Sequence, residues 1–151
     1  MSTKIRKAVG AIIRWEGHPE NILLVKKVKT EDIAKSDIPP EWDIPKGGIK
    51  DGEKLEDALW RELREETGIT DFRLVCELPF MMNFSFPPGS KWMRQETTLF
   101  LLQYKGKIRK FKPGTTEIAE AQFFLSKEAK ALIRYETTLG IIQKARKAGF
   151  L

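Results

Sequence analysis

Residues 47–69 read GGIKDGEKLEDALWRELREETGI, and their spacing predicts a helix with carboxylates on its apolar side. At about 100° per residue, one face of that helix collects four apolar side chains: Leu55, Ala58, Leu59 and Leu63. Glu62 and Glu66 fall on the same face, one turn apart, where an amphipathic helix ordinarily carries apolar residues. Like charges at this spacing repel by roughly 0.2–0.5 kcal/mol in water, and an unpaired buried carboxylate costs more. A divalent cation would compensate both charges, since carboxylate oxygens suit magnesium or manganese.

A solvated acidic helix end is the alternative interpretation, and most charge runs are of that kind. Three neighbouring features favour a functional site instead. Gly47 and Gly48 permit close approach of the backbone to a ligand. Arg61 and Glu65 are spaced i, i+4, so Arg61 could orient a carboxylate. Gly68 stands where a helix ends in a left-handed residue.

The spacing resembles the Nudix box at every defined position. In this chain it consists of Gly47, five residues, Glu53, seven residues, Arg61-Glu62-Leu63, one residue, Glu65-Glu66, one residue and Gly68-Ile69. The resemblance implies an α+β fold of the Nudix type, an α/β/α sandwich with a mixed β-sheet between helices, in a single domain of residues 1–151. It also implies an enzyme that hydrolyses a nucleoside diphosphate linked to another group, with Mg²⁺ or Mn²⁺ as cofactor.

From the helix geometry we predict Glu62 and Glu66 as the primary metal ligands. Glu65, at the edge of the stripe, is predicted to serve as ligand or base, and the backbone near Gly47 is a further candidate ligand. In the family the counterpart of Glu53 helps to shape the site, so we expect Glu53 to support catalysis together with Arg61.

The family often adds a carboxylate from outside the box. Such a carboxylate serves as another ligand or as the catalytic base; Glu117, before a late strand, is the favoured candidate, and Glu96 is the other. For each of them a solvated surface glutamate is the alternative.

The box entry, Pro45-Lys46-Gly47-Gly48, resembles the branch that contains diadenosine tetraphosphate hydrolases and diphosphoinositol polyphosphate phosphohydrolases. Lys46 would place a mobile ammonium beside the polyphosphate, although a solvated lysine is the alternative. Aromatic side chains could stack on a base. The main candidates for substrate binding are Lys46, Trp42, Phe84, Phe86, Trp92 and Arg94, with Lys26 and Lys91 as further phosphate contacts and Phe80 and Tyr135 as further aromatics.

The first functional hypothesis is hydrolysis of a dinucleoside polyphosphate, such as diadenosine tetraphosphate, to ATP and AMP. The second is a pyrophosphohydrolase for the RNA 5′ end, a diphosphoinositol phosphate or a nucleotide sugar, and the basic segment 105–112 favours RNA. The third is a non-catalytic nucleotide- or RNA-binding module. The intact acids of the box argue against the third, because decay usually removes them first.

Composition sets the broad class. The chain has 151 residues, 41% of them hydrophobic and 32% charged, which is typical of a globular protein. The net charge of +6 favours anionic partners. We expect no membrane segment and no signal peptide. The lone cysteine, Cys76, fits a reducing cytoplasm and is predicted to be a buried hydrophobe in a strand. No obligate protein partner is evident.

The remaining pattern predicts strands at 8–14, 22–25, 72–80, 96–104 and 121–125. A helix over 127–133 is expected with Ser126 as its N-cap, and a last helix over about 138–147. Residues 29–41 are predicted to form a long polar loop, and 81–92 a hairpin or flap. His18 is expected at the surface of a turn.

Overall fold

A computed structural model describes residues 4–28, 41–107, 111–115 and 117–151. The elements follow the chain in the order β1 (Ile5–Trp15), β2 (His18–Lys27), β3 (Glu41–Asp43), β4 (Lys46–Gly48), α1 (Leu55–Thr67), β5 (Phe72–Ser85), β6 (Arg94–Tyr104), β7 (Ile118–Leu125), α2 (Ser126–Leu132) and α3 (Glu136–Lys147). The strands of the described residues form one sheet.

Strand β1 lies at the centre of that sheet. It runs parallel to β6 over its whole length and antiparallel to β2 and β4, so the sheet is mixed, as predicted. The strand order is β3-β2-β1-β6-β5, with β4 paired to β1 and β7 paired to β2. The continuous buried run from Ala8 to Ile13 follows from this position, because both faces of the central strand are covered.

The two faces of the sheet carry separate apolar cores. On one face, Val9 packs in a cluster with Leu59 and Leu63 of α1. On the other face, Ile12 belongs to a cluster that includes Ala129 of α2 and Ile142 of α3. Alternate residues of a strand point to opposite faces, so helices cover both sides. The predicted α/β/α sandwich is confirmed.

The strands are longer than the sequence pattern predicts. β5 continues to Ser85 and pairs antiparallel with β6, with bulges in the pairing. Residues 81–92 therefore include the end of a strand as well as the connection of a hairpin, as expected from its prolines and glycine. Cys76 lies in β5 as predicted, but it is only partly buried.

The C-terminal helices differ from prediction at their starts. Ser126 is the first residue of α2 and not its N-cap, since Leu125 occupies that position and makes no side-chain cap. The Ser126 hydroxyl instead accepts a hydrogen bond from Arg146 at 2.8 Å. Helix α3 begins at Glu136, two residues before the predicted start. His18 is exposed, as expected, but it begins β2 and does not lie in the turn. Its ring stacks on that of Trp15, with 3.7 Å between the ring centres.

Two predicted loops fall wholly or partly outside the described residues. Residues 29–40 of the predicted polar loop at 29–41 are not described. Residues 108–110 of the basic segment at 105–112, and residue 116 after it, are not described either. Within the described parts of the chain, no helix combines the length and apolarity needed to cross a bilayer.

Candidate active site

Helix α1 carries the acidic residues of the site on and beside its buried face. Glu66 is buried, with 5% of its surface exposed, one turn after the buried Leu63. The side chain of Glu62 is 14% exposed, whereas that of Glu65 is 43% exposed. Gly68 ends the helix at φ 72° and donates its N–H to Arg64 O at 2.9 Å, as the sequence predicts.

Arg61 gathers the carboxylates of the box around its guanidinium. Its Nε and Nη2 donate to the two oxygens of Glu53 at 2.7 and 2.8 Å. Nη1 donates to Glu62 Oε1 at 2.7 Å and, weakly, to Glu65 Oε2 at 3.5 Å. Nη2 also reaches the Gly48 carbonyl at 2.9 Å. The predicted orienting role for Arg61 therefore extends over three acids and the entry of the box.

Glu53 is the acid that Arg61 satisfies best. The bidentate hydrogen bonds from Arg61, with the Lys50 amide, lower the pKa of Glu53 to about 2. Those contacts pin the loop before α1 to the helix. Glu53 therefore joins the loop before α1 to the helix, and its supporting role in catalysis stays a prediction.

Glu66 is the acid that the protein satisfies least. Its Oε1 accepts the Lys46 amide at a long 3.3 Å, and its buried Oε2 has no hydrogen-bond partner among the described residues. Burial raises the pKa of Glu66 to about 8. Burial also raises the pKa of Glu62, although Arg61 opposes the effect. A bound cation would explain why a buried carboxylate oxygen has no hydrogen-bond partner.

Gly47 closes the site opposite Glu62. A Cβ on Gly47 would lie 2.1 Å from the Glu62 carboxylate, so any other residue there would displace the Glu62 side chain. Carboxylates and nearby backbone carbonyls form a set of hard oxygen donors, which fits Mg²⁺ or Mn²⁺. Among the described residues, no three His, Cys, Asp or Glu side chains converge as a metal cage. Three acids, Glu53, Glu62 and Glu65, converge on the Arg61 guanidinium instead.

Lys46 is held in place, not mobile as predicted. Its Nζ lies 2.9 Å from Asp43 Oδ2, and the Asp43 side chain is 1% exposed. The contact is an ion pair, since Oδ2 accepts no directed hydrogen bond from the described residues. The same ammonium lies 5.2 Å from the centre of the Phe84 ring and 5.6 Å from that of Tyr135. Burial lowers the pKa of Lys46, and Asp43 opposes this most strongly.

The other predicted aromatics lie at different places. The rings of Phe84 and Phe86 pack edge to face at the end of the hairpin, with 5.1 Å between the ring centres. The Lys46 ammonium lies over the Phe84 ring. Trp42 packs edge-on against Phe124 at 4.8 Å. Trp92 stands in the hairpin connection, where Lys91 lies 5.4 Å from its ring centre.

The two carboxylates outside the box have different surroundings. Glu117 is exposed, and its carbonyl accepts the Val28 amide at 2.8 Å beside the end of β2. Glu96 forms an ion pair with Lys7 at 2.6 Å and lies 3.9 Å from Arg94. Its pKa is lowered, chiefly by Lys7. Glu96 is therefore already paired, and Arg94 is directed toward it.

Sequence reasoning missed three residues beside the site. Asp43 is one. Lys27, at the end of β2, lowers the pKa of both Glu66 and Glu62 through its charge, although burial outweighs it. Arg6 lies against the box entry, since its Nη2 would stand 2.7 Å from a Cβ on Gly48. Lys27 and Arg6 are distant in sequence from the box, and only the strand register could have placed them there.

Comparison with known proteins gives one family. Residues 4–142 match the model of a protein family described as the NUDIX domain. The chain is 35% identical over 105 residues to Nudix hydrolase 26, chloroplastic, of Arabidopsis thaliana, a match that covers 61% of this chain and 49% of that protein. It is 37% identical over 84 residues to the RNA pyrophosphohydrolase of a Nitratiruptor species, covering 56% of this chain and 50% of that protein.

Solved structures agree on the fold. A C. elegans Ap4A hydrolase in a binary complex superimposes with a TM-score of 0.71 at 18% identity, covering 95% of this chain and 98% of that one. This likeness shows the fold alone. The chain spans about half the length of the first curated relatives it matches. The match over residues 4–142 shows that the chain belongs to the NUDIX family, whose enzymes generally use divalent metal ions such as Mg²⁺.

Proposed function

We propose that this chain is a divalent-metal-dependent pyrophosphohydrolase that cleaves a phosphoanhydride bond in a nucleoside polyphosphate. The observation that carries the proposal is the buried, unpartnered Oε2 of Glu66 beside the Arg61-bound carboxylate of Glu62, within the described part of the chain. A protein gains nothing in stability from such a group. The arrangement is explained if Glu66 binds a cation during function.

Glu62, Glu65, Glu66 and the Gly47 carbonyl are the groups that would hold the metal. Mg²⁺ or Mn²⁺, when bound, supplies charge neutralisation at the phosphates and acidifies bound water. Arg61 and Glu53 keep the acids in register, since their hydrogen bonds tie the box loop to α1. Glu65 is more exposed than Glu62 or Glu66 and is suited to accept a proton from water. Glu117 stays the second candidate for that role.

Cationic side chains near the acids suit a substrate with several phosphates. Lys27 and Lys46 both act electrostatically on the acids of the site, and Arg6 lies against Gly48. Together they offset the negative charge of the acids at the box entry. Phe84, next to Lys46, offers an aromatic surface for a base.

Two substrate classes compete within this proposal. The sequence of the box entry favours dinucleoside polyphosphates such as diadenosine tetraphosphate. The relative at 37% identity favours a triphosphorylated RNA 5′ end, and the net charge of +6 is consistent with RNA. We place the RNA 5′ end first, because the Ap4A hydrolase likeness at 18% identity supports only the fold.

The test is a substrate panel with the purified protein and Mg²⁺. The panel contains a short 5′-triphosphorylated RNA, diadenosine tetraphosphate, a diphosphoinositol phosphate and a nucleotide sugar. Products are identified by chromatography, and the matched Glu66→Gln variant measures any contaminating hydrolase. We expect the highest kcat/KM on the RNA, with release of pyrophosphate.

Preference for diadenosine tetraphosphate, with ATP and AMP as products, would replace the RNA assignment and leave the metal site intact. Equal turnover by the wild type and Glu66→Gln would contradict the proposed site. No turnover of any substrate, with Mg²⁺ or with Mn²⁺, would favour a non-catalytic nucleotide-binding module.

A further inference from the structure

A buried ion pair stands immediately next to the least satisfied acid of the site. Asp43 and Lys46 are joined at 2.9 Å, with side chains 1% and 15% exposed. The main-chain N–H of Lys46 donates to Glu66 Oε1 at 3.3 Å. The stem of the lysine therefore starts beside Glu66, while its ammonium is directed away to Asp43.

The Asp43 carboxylate is itself firmly oriented. Its Oδ1 accepts hydrogen bonds from the Ile44 amide and from the hydroxyl of Thr138 in α3, both at 2.8 Å. Thr138 is fully buried. These two donors leave Oδ2 facing Lys46, so helix α3 helps to fix the position of the ammonium.

Without Asp43, the ammonium of Lys46 would be a buried charge that has lost its closest partner, which is costly. Glu66 is a nearby acid whose negative charge already attracts the Lys46 ammonium. A lysine has a flexible four-carbon stem and can turn toward another acid. An ammonium on Glu66 would occupy the oxygens that a metal ion needs.

We propose that Asp43 is a positioning residue that holds the Lys46 ammonium away from Glu66, and so keeps the Glu66 carboxylate free for a divalent cation. The inference rests on the proposed function, in which Glu66 binds the metal. It assigns to the charge of Asp43 a task that the spacing of the box does not include.

Mn²⁺ binding to the protein without nucleotide tests the inference, with free Mn²⁺ measured by electron paramagnetic resonance. In Asp43→Asn, Oδ1 still accepts from Ile44 and Thr138, but the charge that restrains Lys46 is lost. We expect the Mn²⁺ Kd to rise about tenfold or more. Adding Lys46→Met to that variant removes the competing ammonium, so we expect the Kd to return to within about threefold of wild type.

Two controls separate this role from a general effect of charge or folding. Asp43→Asn with Lys26→Met removes a neighbouring lysine that is paired with Glu120, and it should not restore binding. Thr138→Val removes one hydrogen bond to Asp43 but keeps its charge, so Mn²⁺ affinity should change by less than about threefold. Thermal unfolding of each variant shows whether it is folded.

A merely structural ion pair gives a different pattern. Weak binding by Asp43→Asn that Lys46→Met does not restore would overturn the inference, and so would wild-type binding by Asp43→Asn. If Asp43→Asn does not fold, the test uses the double variant Asp43→Asn/Lys46→Met, in which both charges are removed. Weak Mn²⁺ binding by this double variant overturns the inference. Mn²⁺ binding close to that of the wild type supports it. If Glu66→Gln bound Mn²⁺ as tightly as the wild type, Glu66 would not be a metal ligand. That result would contradict the proposed function, and the inference with it.

Discussion

Gly47 lies so close to Glu62 that a Cβ on the glycine would stand 2.1 Å from the carboxylate. The backbone of the box entry and the first metal-ligand candidate of α1 therefore share one narrow space. Gly47 has no positive φ in the structure, so its requirement is close approach and not backbone conformation. In the proposed metal site, the loop and the helix would have to keep this distance for both to face one cation.

Gly47→Ala should displace Glu62 and reduce metal-dependent kcat/KM by about tenfold or more, because small displacements of reacting groups cost large factors. Gly48→Ala should be milder, since its Cβ would displace Arg6, which is not a candidate metal ligand. Gly140→Ala is the matched control: it lies in α3 with nothing within 4 Å. That change should raise the free energy of unfolding by roughly 0.5–1 kcal/mol and leave turnover unchanged. Equal activity in all three variants would contradict the close-packing argument.

Glu66→Gln should lower kcat with Mg²⁺ by at least about 10²-fold, in line with loss of a preorganised electrostatic contact. Glu56→Gln changes an exposed acid in the first turn of the same helix and should behave as wild type. Steady-state turnover on the best substrate of the panel measures both. Full activity in Glu66→Gln would exclude Glu66 as a ligand.

The stability of the metal-free protein should depend on pH through Glu66. Its pKa in the folded protein is raised by burial from 4.5 to about 8, so ionisation favours the unfolded chain. The penalty begins as pH rises past about 4.5 and is complete above about 8, at roughly 1.4 kcal/mol per pKa unit. Relative to wild type, Glu66→Gln should therefore gain stability between pH 5 and pH 8 in EDTA.

Urea unfolding at the two pH values measures this difference, and Glu65→Gln is the control because Glu65 is 43% exposed. Saturating Mg²⁺ should reverse the order at pH 8, since the cation stabilises only the protein that binds it. A pH-independent difference between wild type and Glu66→Gln would show that Glu66 is not held in a poorly hydrated position.

Arg61→Lys should lower the free energy of unfolding by about 1.5–3 kcal/mol, the range for hydrogen bonds to charged groups. Lysine has a single ammonium and cannot reproduce the paired contacts of Arg61 to Glu53 at 2.7 and 2.8 Å. Arg64→Lys, at an exposed position of α1, should change stability little. Urea denaturation compares the two, and equal losses would mean that the guanidinium geometry does not matter.

The helix of the site is predictable because periodicity and spacing are local properties. Leu59, Leu63 and the two carboxylates can be placed on one face from sequence alone, and Gly68 marks the end of that helix. The layers of the fold are also predictable, since an apolar strand such as β1 requires cover on both faces.

The ion pairs of the site cannot be read in the same way. Lys27 and Arg6 reach the box through strand pairing, and a single sequence does not give that register. Asp43 lies close to the box, but its carboxylate is oriented by Thr138, which is 95 residues away. The sequence therefore predicts Lys46 as a free ammonium, although it is held by a buried carboxylate.

Crystals grown with Mn²⁺ and a nonhydrolysable nucleotide test most directly whether the acids of α1 bind metal. We expect an anomalous peak about 2.0–2.6 Å from carboxylate oxygens of Glu62 and Glu66, with Glu66 Oε2 no longer unpartnered. An ordered nucleotide with no peak at these acids, and Glu62 Oε1 still 2.7 Å from Arg61 Nη1, would contradict the account.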